Sequence, residues 1–382
     1  MIKFEGQKVS AFVFDGHEHV CDLIEADGPL LSLYTDLRDN WLYLWCDTDR
    51  VKVNRWMLIK APRTSLVEFF SQRISLRALI ENSPSVIMLD ETAVRSEKVD
   101  DLGIPQEPTI SLKRRFIKLD DPTDVQAYWP SDRSFFNPEL AEGIDIRQEF
   151  APSKHLIPVD GRWYFKDLDS FSRTYAKLYA FLYSTKPQFI NSMSARLYSL
   201  LRAPWTGGYS RVNLFSSLRR GLPALHDLQI DSFSYASPGA IEVEALPSIC
   251  EDVSRIILSS KGRWPRLAVY DKIINTIIGK HKLRKVDLST VPNEQLPFAQ
   301  EEAQALENSC TEICTLLGVE DRIDALRDAA PNLIVYAKAV QALLGQVQKL
   351  NAFQEQGLLN LGKSQDQAEA DIRDSAARNI VQ

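Results

Sequence analysis

Residues 30–61 constrain the fold of this chain more than any other segment. They read LLSLYTDLRDNWLYLWCDTDRVKVNRWMLIKA, three apolar-rich runs separated by short polar turn sequences such as Arg38-Asp39-Asn40. Runs of this length are typical of strands, and turns this short join strands that lie side by side. The segment therefore predicts a three-stranded antiparallel meander.

Two short helices and one more strand should follow the meander. Ser65 and Glu68 have the capping-box spacing of a helix N-terminus, and ISLRALIEN predicts a second helix that begins near Ser75. SVIMLDE, which comes next, predicts another strand. Together with the turn sequences before residue 30, this indicates a small α+β module over residues 1–100.

Three further regions complete the predicted organisation. Prolines are frequent over residues 101–160 and disfavour long helices and central strands, so this region predicts a proline-rich extended connection. Residues 161–290 predict a second α+β domain, and residues 291–382 predict a helical C-terminal region. The expected fold class is α+β, with an N-terminal antiparallel-sheet module, short helices, a second α+β region and a helical C-terminal part.

Composition narrows the class of protein. The 382 residues are 45% hydrophobic and 25% charged, as in ordinary globular proteins, and the formal charge of −6 argues against a surface devoted to phosphate binding. No apolar run approaches the roughly 20 residues that span a bilayer, and the N-terminus lacks a signal-peptide layout. We expect a cytoplasmic protein with no membrane partner, no cofactor and five reduced cysteines.

GHEHVCD contains His17, His19 and Cys21 at alternate positions. On a regular strand, all three side chains would leave the same face, and imidazole and thiolate groups are good zinc ligands. A metal-dependent hydrolase or nuclease is one hypothesis that follows. DGHEH also resembles the HxH motif that ends the first strand of the amidohydrolase family, which implies further histidines at the ends of later strands. His155, His226 and His281, however, close no apolar strand. The other interpretation, which the sequence favours, is a half-exposed strand with polar alternate positions.

NWLYLWC places Trp41, Tyr43 and Trp45 on one face of a strand. Flat aromatic side chains on a sheet can anchor a protein partner or stack nucleobases. The sequence favours the other interpretation, a core, since large aromatic residues dominate core burial and Trp56 on the next strand suggests an aromatic cluster. We still take these three residues as candidates for partner binding.

Two basic segments are candidates for binding phosphate or nucleic acid. The first has a Gly207-Gly208 turn ahead of an expected helix N-terminus, a position that can bind an anion, although neither a dinucleotide-binding nor a P-loop motif is present. The second is KHKLRK at the end of an expected helix, where a solvated helix end is the alternative. The candidate residues are Arg202, Ser210, Arg211, Arg219, Arg220, Lys280, Lys282, Arg284 and Lys285.

The last long helix carries an apolar seam. Leu333, Val340 and Val347 alternate with Tyr336, Leu343 and Leu350 at heptad spacing over fewer than three clean heptads. The seam predicts packing against the chain's own body, and pairing with a second copy is the alternative. Cys310 lies four residues before Cys314 and shares a helical stripe with Leu306, Ile313 and Leu317, which favours a core over a redox or metal pair.

The first hundred residues resemble a poorly characterised bacterial family. The residues that carry the resemblance are Trp41, Tyr43, Trp45 and Asp47 on one strand, Arg55-Trp56 on the next, and Ser75-Leu76-Arg77 in the segment after the first helix. The family has no established activity, so it assigns no role to any residue. Its members occur among bacterial accessory genes, including phage-defence loci, which implies a genetic neighbourhood and no mechanism.

The sequence favours three functions in order. The first is a non-catalytic adaptor or structural subunit of a bacterial protein assembly, because no catalytic set of residues is assembled in the sequence. A nucleic-acid-binding component that uses the two basic segments is the second. A metal-dependent hydrolase or nuclease is the third.

Overall fold

The computed structural model describes residues 6–25, 29–36, 38–46, 53–71, 73–96, 109–130, 150–186, 193–203, 212–234, 238–286, 289, 291–363 and 365–370. The chain divides into two compact units. The first comprises Met1–Ala151 with Pro223–Leu225, and the second comprises Pro152–Leu222 with His226–Gln382. An antiparallel sheet with short helices, a second sheet with helices and a helical C-terminal part confirm the predicted α+β fold class.

A seven-stranded antiparallel sheet forms the first unit. Its strands are β1 (Gly6–Val9), β2 (Glu18–Glu25), β3 (Pro29–Thr35), β4 (Asn40–Cys46), β5 (Val53–Ala61), β6 (Val86–Ser96) and β7 (Thr109–Leu119). Their spatial order is β1-β7-β6-β5-β4-β3-β2. β3, β4 and β5 are the predicted meander, and β6 is the strand predicted after it.

The strand register divides this sheet into two faces. Trp41 lies opposite Tyr34 on β3, and Trp45 lies opposite Trp56 on β5, so these side chains and Tyr43 share one face. We call it the aromatic face. The opposite face is mostly aliphatic and buried, with Leu31, Leu33, Leu42, Leu44, Met57, Ile59, Met88 and Ile117.

Different elements lie on the two faces. The 3₁₀ turn Ala11–Phe14 reaches the aromatic face, where Phe14 contacts Trp41 and Phe116. A second 3₁₀ turn, Pro122–Tyr128, reaches the opposite face, where Tyr128 contacts Arg55. Helix α2 (Leu76–Glu81) packs beside this second turn. This second turn, with α2 beside it, therefore lies on the opposite face.

The two short helices of the first unit begin differently. Ser75 caps α2 as predicted, because its hydroxyl accepts a hydrogen bond of 3.0 Å from the amide of Ala78. Helix α1 (Arg63–Phe70) already begins after Pro62, so Ser65 lies inside it and does not cap it. Proline has a fixed φ that suits a helix start, which explains the earlier beginning.

Residues 101–160 differ from the extended connection that we predicted. Strand β7 lies between β1 and β6 inside the first sheet, while β8 (Ser153–Val159) belongs to the second unit. The run TISLKRRFIKL of β7 contains no proline, although Pro108 precedes it closely. Proline excludes a central strand only where it occurs in the strand, and the expectation treated the whole region alike.

The second unit combines a three-stranded antiparallel sheet with helices. The sheet order is β8-β10-β9, with β9 at Gln229–Ser234 and β10 at Gly239–Ala245, the two strands predicted around Ser237-Pro238-Gly239. The helices are α3 (Phe165–Ser184), α4 (Met193–Arg202), α5 (Val212–Arg220), α6 (Pro247–Ser260), α7 (Trp264–Lys280), α8 (Gln300–Leu317), α9 (Ile323–Ala329) and α10 (Leu333–Glu355).

Helix α10 is the central helix of the second unit and packs against α3, α6 and α8. Val340, Val347 and Leu350 of its heptad seam are fully buried, and Leu343 is 1% exposed. The seam therefore packs against the chain's own body, as predicted. Tyr336 of the seam is also 1% exposed and Leu333 is half-buried, so the seam leaves little surface for a second copy, and pairing of two chains through it is disfavoured. Within the described ranges, no helix is both long enough and apolar enough to cross a membrane.

Candidate functional site

The three residues considered as metal ligands make separate contacts. His17 precedes β2, and its Nδ1 lies 2.9 Å from the hydroxyl of Tyr43. His19 lies on β2, and its Nε2 is 2.8 Å from the carboxylate of Asp22. Cys21 is buried. Among the described residues, the three side chains therefore share no common partner.

A β-bulge at Val20 separates His19 from Cys21. His19 pairs with Tyr34, while Cys21 pairs with its neighbour Leu33. Adjacent residues of a strand point to opposite faces, so His19 lies on the aromatic face and Cys21 on the opposite face. The expectation of a shared face assumed a regular strand and is wrong. Among the residues that the structure describes, no three His, Cys, Asp or Glu side chains are placed to hold a metal ion.

The three aromatic candidates on β4 have different surroundings. Trp41 is 7% exposed and belongs to a buried cluster. In that cluster Phe14 stacks on Phe116, with ring centroids 4.3 Å apart, and meets Trp41 edge to face. Tyr43 is half-buried at the edge of the cluster, and Trp45 is half-buried too. Trp41 is therefore core, while Tyr43 and Trp45 remain partly open to solvent.

Tyr43 and Tyr34 form a stacked pair on the aromatic face. Their ring centroids are 4.0 Å apart and their planes differ by 25°. Burial raises the pKa of both hydroxyls, so both stay protonated at neutral pH. Burial also lowers the pKa of His17, against the opposing charge of Asp36, so the imidazole beside Tyr43 is neutral. The pair thus presents neutral rings with hydrogen-bonding groups.

Trp45 and Trp56 form a second aromatic pair. Their ring centroids are 4.9 Å apart and their planes meet at 82°. Both rings are half-buried. On the same face, Arg114 of β7 is 51% exposed and binds Glu91 at 2.7 Å. The aromatic face therefore offers tryptophan, tyrosine and arginine, the residue types most enriched where binding energy concentrates in protein interfaces.

Sequence reasoning grouped Trp56 with the aromatic residues of β4 but missed the rest of this face. Tyr34 could have been placed by counting the meander register outward from Trp41. Phe14 and Phe116 had no such signal, because they reach the face through a 3₁₀ turn and through a strand outside the meander. Arg114 was hidden for the same reason.

The acidic pair at the end of SVIMLDE is divided between the two faces. Asp90 accepts hydrogen bonds of 2.6 and 3.0 Å from Arg55 on the opposite face, and Arg55 also donates to Tyr128. Burial opposes the charge on Arg55, but the bonds to Asp90 raise its pKa overall. Glu91 binds Arg114 on the aromatic face. These carboxylates neutralise arginines and do not meet at a common site.

The structure separates the first group of basic candidates. Arg202 donates from Nη1 to the carbonyl of Ala329, and its guanidinium carbon lies 3.3 Å from the centre of the Tyr198 ring. Arg219 and Arg220 are exposed at the end of α5. Ser210 and Arg211 lie outside the described residues. The described members thus form no single phosphate-binding loop.

The second basic group is partly neutralised. Lys280 and His281 both bind the carboxylate of Glu302, at 2.6 and 2.8 Å. The hydrogen bond from Lys280, followed by that from His281, lowers the pKa of Glu302 to about 2. Lys282 and Arg284 are exposed, and Lys285 lies in the 3₁₀ turn Leu283–Lys285. One of the lysines is therefore committed to a contact within the fold.

A buried lysine supports the turn that carries this basic group. Lys338 of α10 is 1% exposed, and its Nζ donates to the backbone carbonyls of Leu283 and Arg284 at 2.9 and 3.3 Å. A third carbonyl, that of Val286, lies 3.5 Å away. Carbonyl groups that bind a cation replace its lost hydration. The turn is thus fixed from inside the unit.

All five cysteines are reduced and buried. Cys310 and Cys314 are at most 1% exposed, which confirms their interpretation as core residues. Burial raises the pKa of Cys46, Cys250 and Cys314 to about 12, so these thiols are protonated and poorly nucleophilic at neutral pH.

Comparisons of this chain with known protein families, with curated proteins and with solved structures found no match.

Proposed function

We propose that this chain is a non-catalytic adaptor subunit of a bacterial protein assembly, and that the aromatic face of its first unit binds another protein. The observation that carries the proposal is the line of half-buried rings formed by the Tyr34–Tyr43 and Trp45–Trp56 pairs. Rings in such pairs are held rigid before binding, so little side-chain entropy is lost when a partner covers them.

The charges on the aromatic face favour a protein over a nucleic acid as the partner. Arg114 is neutralised by Glu91, and Lys60 by Asp39 at 2.5 Å. Phosphate binding requires cations that are available to replace counterions, and these two already have carboxylate partners. This leaves Lys118 as an exposed cation of this face with no carboxylate partner among the described residues. A polar rim of matched ion pairs around aromatic residues is instead the usual composition of a protein interface.

The other two hypotheses have weaker support. A nucleic-acid-binding component would use basic residues of which Arg202 and Lys280 already bind groups within the fold. A metal-dependent hydrolase or nuclease would need His17, His19 and Cys21 together, and the bulge at Val20 separates them. Buried, reduced thiols support a cytoplasmic location. The family resemblance suggests that genes near phage-defence loci are where the partner should be sought.

The test is native mass spectrometry of the tagged chain, purified gently from its own host with its neighbouring genes intact. The proposal predicts a complex whose mass exceeds that of one 43.4 kDa chain by a second polypeptide. Hydrogen exchange should then show protection on β4 and β5 in the complex. A bare monomer, or a partner whose binding leaves these strands unprotected, would overturn it.

A further inference from the structure

The second unit has an open apolar groove next to an unprotected sheet edge. The groove, of about 370 Å³, lies between α3 and one face of the three-stranded sheet. Ile157, Ile241 and Val243 form its buried floor. Phe165 at the start of α3 is 93% exposed, and Ile230 of β9 is 65% exposed. Large apolar side chains left this open beside a groove mark a surface that a partner covers.

The two edges of the sheet differ. A segment of the same chain covers β8, because Leu359 bridges Val159 and the side chain of Gln365 bonds to both backbone groups of Leu156. β9 is the other edge, and within the described residues no strand pairs with its outer side. An edge strand presents backbone donors and acceptors to an incoming strand. The sheet can therefore be extended at β9 and not at β8.

The side chains of β9 determine which face an added strand would continue. Asp231 is an extra residue in the β9–β10 ladder, so Ile230 pairs with Val243 and Ser232 with Glu242. Ile230 thus lies on the groove side of the sheet. Alternate residues of a strand added next to β9 would enter the same groove, whereas the intervening residues would point away from it.

The rim of the groove offers a positive charge at Arg219, because the acidic residue that also lines it, Asp169, is already bound to Arg173 at 2.7 Å. Arg219 lines the groove and is exposed. Lys177 lies close to it on α3, and burial together with the charges of Lys349, Arg173 and Arg219 lowers the pKa of Lys177. In the part of the chain that the structure describes, Arg219 forms no ion pair with a carboxylate. An acidic side chain on the occupant would relieve this repulsion.

We infer that this groove binds an extended, acidic segment of a partner protein, which adds to the sheet as a strand beside β9. Its backbone would pair with β9, its alternate apolar side chains would fill the groove between Phe165 and Ile230, and an acidic residue would meet Arg219. Strand addition of this kind takes its affinity from backbone hydrogen bonds and its specificity from the pockets for alternate side chains. The site is separate from the aromatic face of the first unit.

The test selects random twelve-residue peptides displayed on phage against the full chain. The Ile230→Asp variant, with its fold checked by circular dichroism, serves for counterselection. The inference predicts enriched peptides with alternating apolar residues and at least one acidic residue. The inference would be overturned if no peptide were enriched, if the enriched peptides were basic or did not alternate, or if Ile230→Asp enriched the same peptides equally well. Sedimentation showing that a second copy occupies the groove would also overturn it.

The best enriched peptide is then measured by fluorescence anisotropy. Arg219→Glu should weaken its binding about tenfold, equivalent to about 1.4 kcal/mol. Arg220→Glu is the matched control, because Arg220 is adjacent on α5 but bonds to Ser216 and Ser217. N-methylation of alternate peptide amides, which removes the donors for β9, should abolish binding. Equal losses in both arginine variants, or full binding by the methylated peptide, would contradict strand addition.

Discussion

Arg55 and Asp90 form a two-pronged ion pair across β5 and β6, with nitrogen–oxygen distances of 2.6 and 3.0 Å. The two side chains are only 8% and 16% exposed. Arg55→Met leaves the Asp90 carboxylate buried without its cation, and we expect the unfolding free energy of the first unit to fall by about 3–5 kcal/mol. Urea unfolding followed by tryptophan fluorescence measures the change.

Two further variants make this prediction specific. Arg55→Met with Asp90→Leu removes both charges, and most of the lost stability should return. Lys60→Met removes the ion pair with Asp39, whose two side chains are 32% and 39% exposed, and should cost less than about 1 kcal/mol. If Lys60→Met were as damaging as Arg55→Met, burial would not be what makes the Arg55–Asp90 pair important.

His155 should make the stability of the second unit depend on pH. Burial lowers its pKa to about 4, from 6.5 in an unfolded chain. The unfolded state therefore binds the proton first, and stability is lost as the pH falls from about 6.5 to about 4, by up to about 3 kcal/mol. Urea unfolding of wild type and of His155→Gln at several pH values measures it. Parallel curves for the two proteins would show that His155 contributes no pH dependence.

Lys338→Met should destabilise the second unit. The substitution removes the donor to the carbonyls of Leu283 and Arg284 while it keeps the apolar stem, and we expect a loss of about 1–3 kcal/mol. Lys349→Met is the control on the same helix, since Lys349 is exposed and should change stability by less than about 0.5 kcal/mol. Thermal unfolding by calorimetry separates the two, and equal midpoints would refute the role of Lys338.

The five thiols should react slowly in the folded protein. All are buried, and burial raises the pKa of Cys46, Cys250 and Cys314 to about 12. An aromatic disulfide reagent should therefore label five thiols quickly in guanidinium chloride and almost none in native buffer. Quick labelling of any one thiol without denaturant would show that its burial is not maintained.

Local patterns predicted the parts of the fold in which neighbours in sequence are neighbours in space. The meander of β3, β4 and β5 and the hairpin of β9 and β10 are of this kind, as is the buried seam of α10. β7 was missed although it pairs with the preceding strand β6, because the prolines around it were taken to exclude strands from the whole of residues 101–160. Its second partner, β1, lies about a hundred residues earlier, and no local signal reports that pairing.

The candidate site was half predicted for the same reason. Tyr43 and Trp45 followed from strand alternation, but the burial of Trp41 depends on Phe14 and Phe116, which arrive from outside the meander. The grouping of His17, His19 and Cys21 failed because a single extra residue, Val20, reverses the alternation after it. Bulges depend on the pairing strand and are not visible in the bulged strand alone.

The most direct test of the account is whether the half-buried Trp45–Trp56 pair binds the partner. Native mass spectrometry should be repeated with Trp45→Ser/Trp56→Ser, after circular dichroism has shown that the sheet is retained. Val94→Ser is the matched control, because Val94 is a 40% exposed apolar residue on the opposite face of the same sheet. The account predicts that the double variant loses the partner polypeptide, since truncating interface tryptophans typically costs 2 kcal/mol or more, roughly thirtyfold in affinity. Val94→Ser should keep it. Retention of the partner by a folded Trp45→Ser/Trp56→Ser variant would contradict the proposal that the aromatic face is where this protein binds.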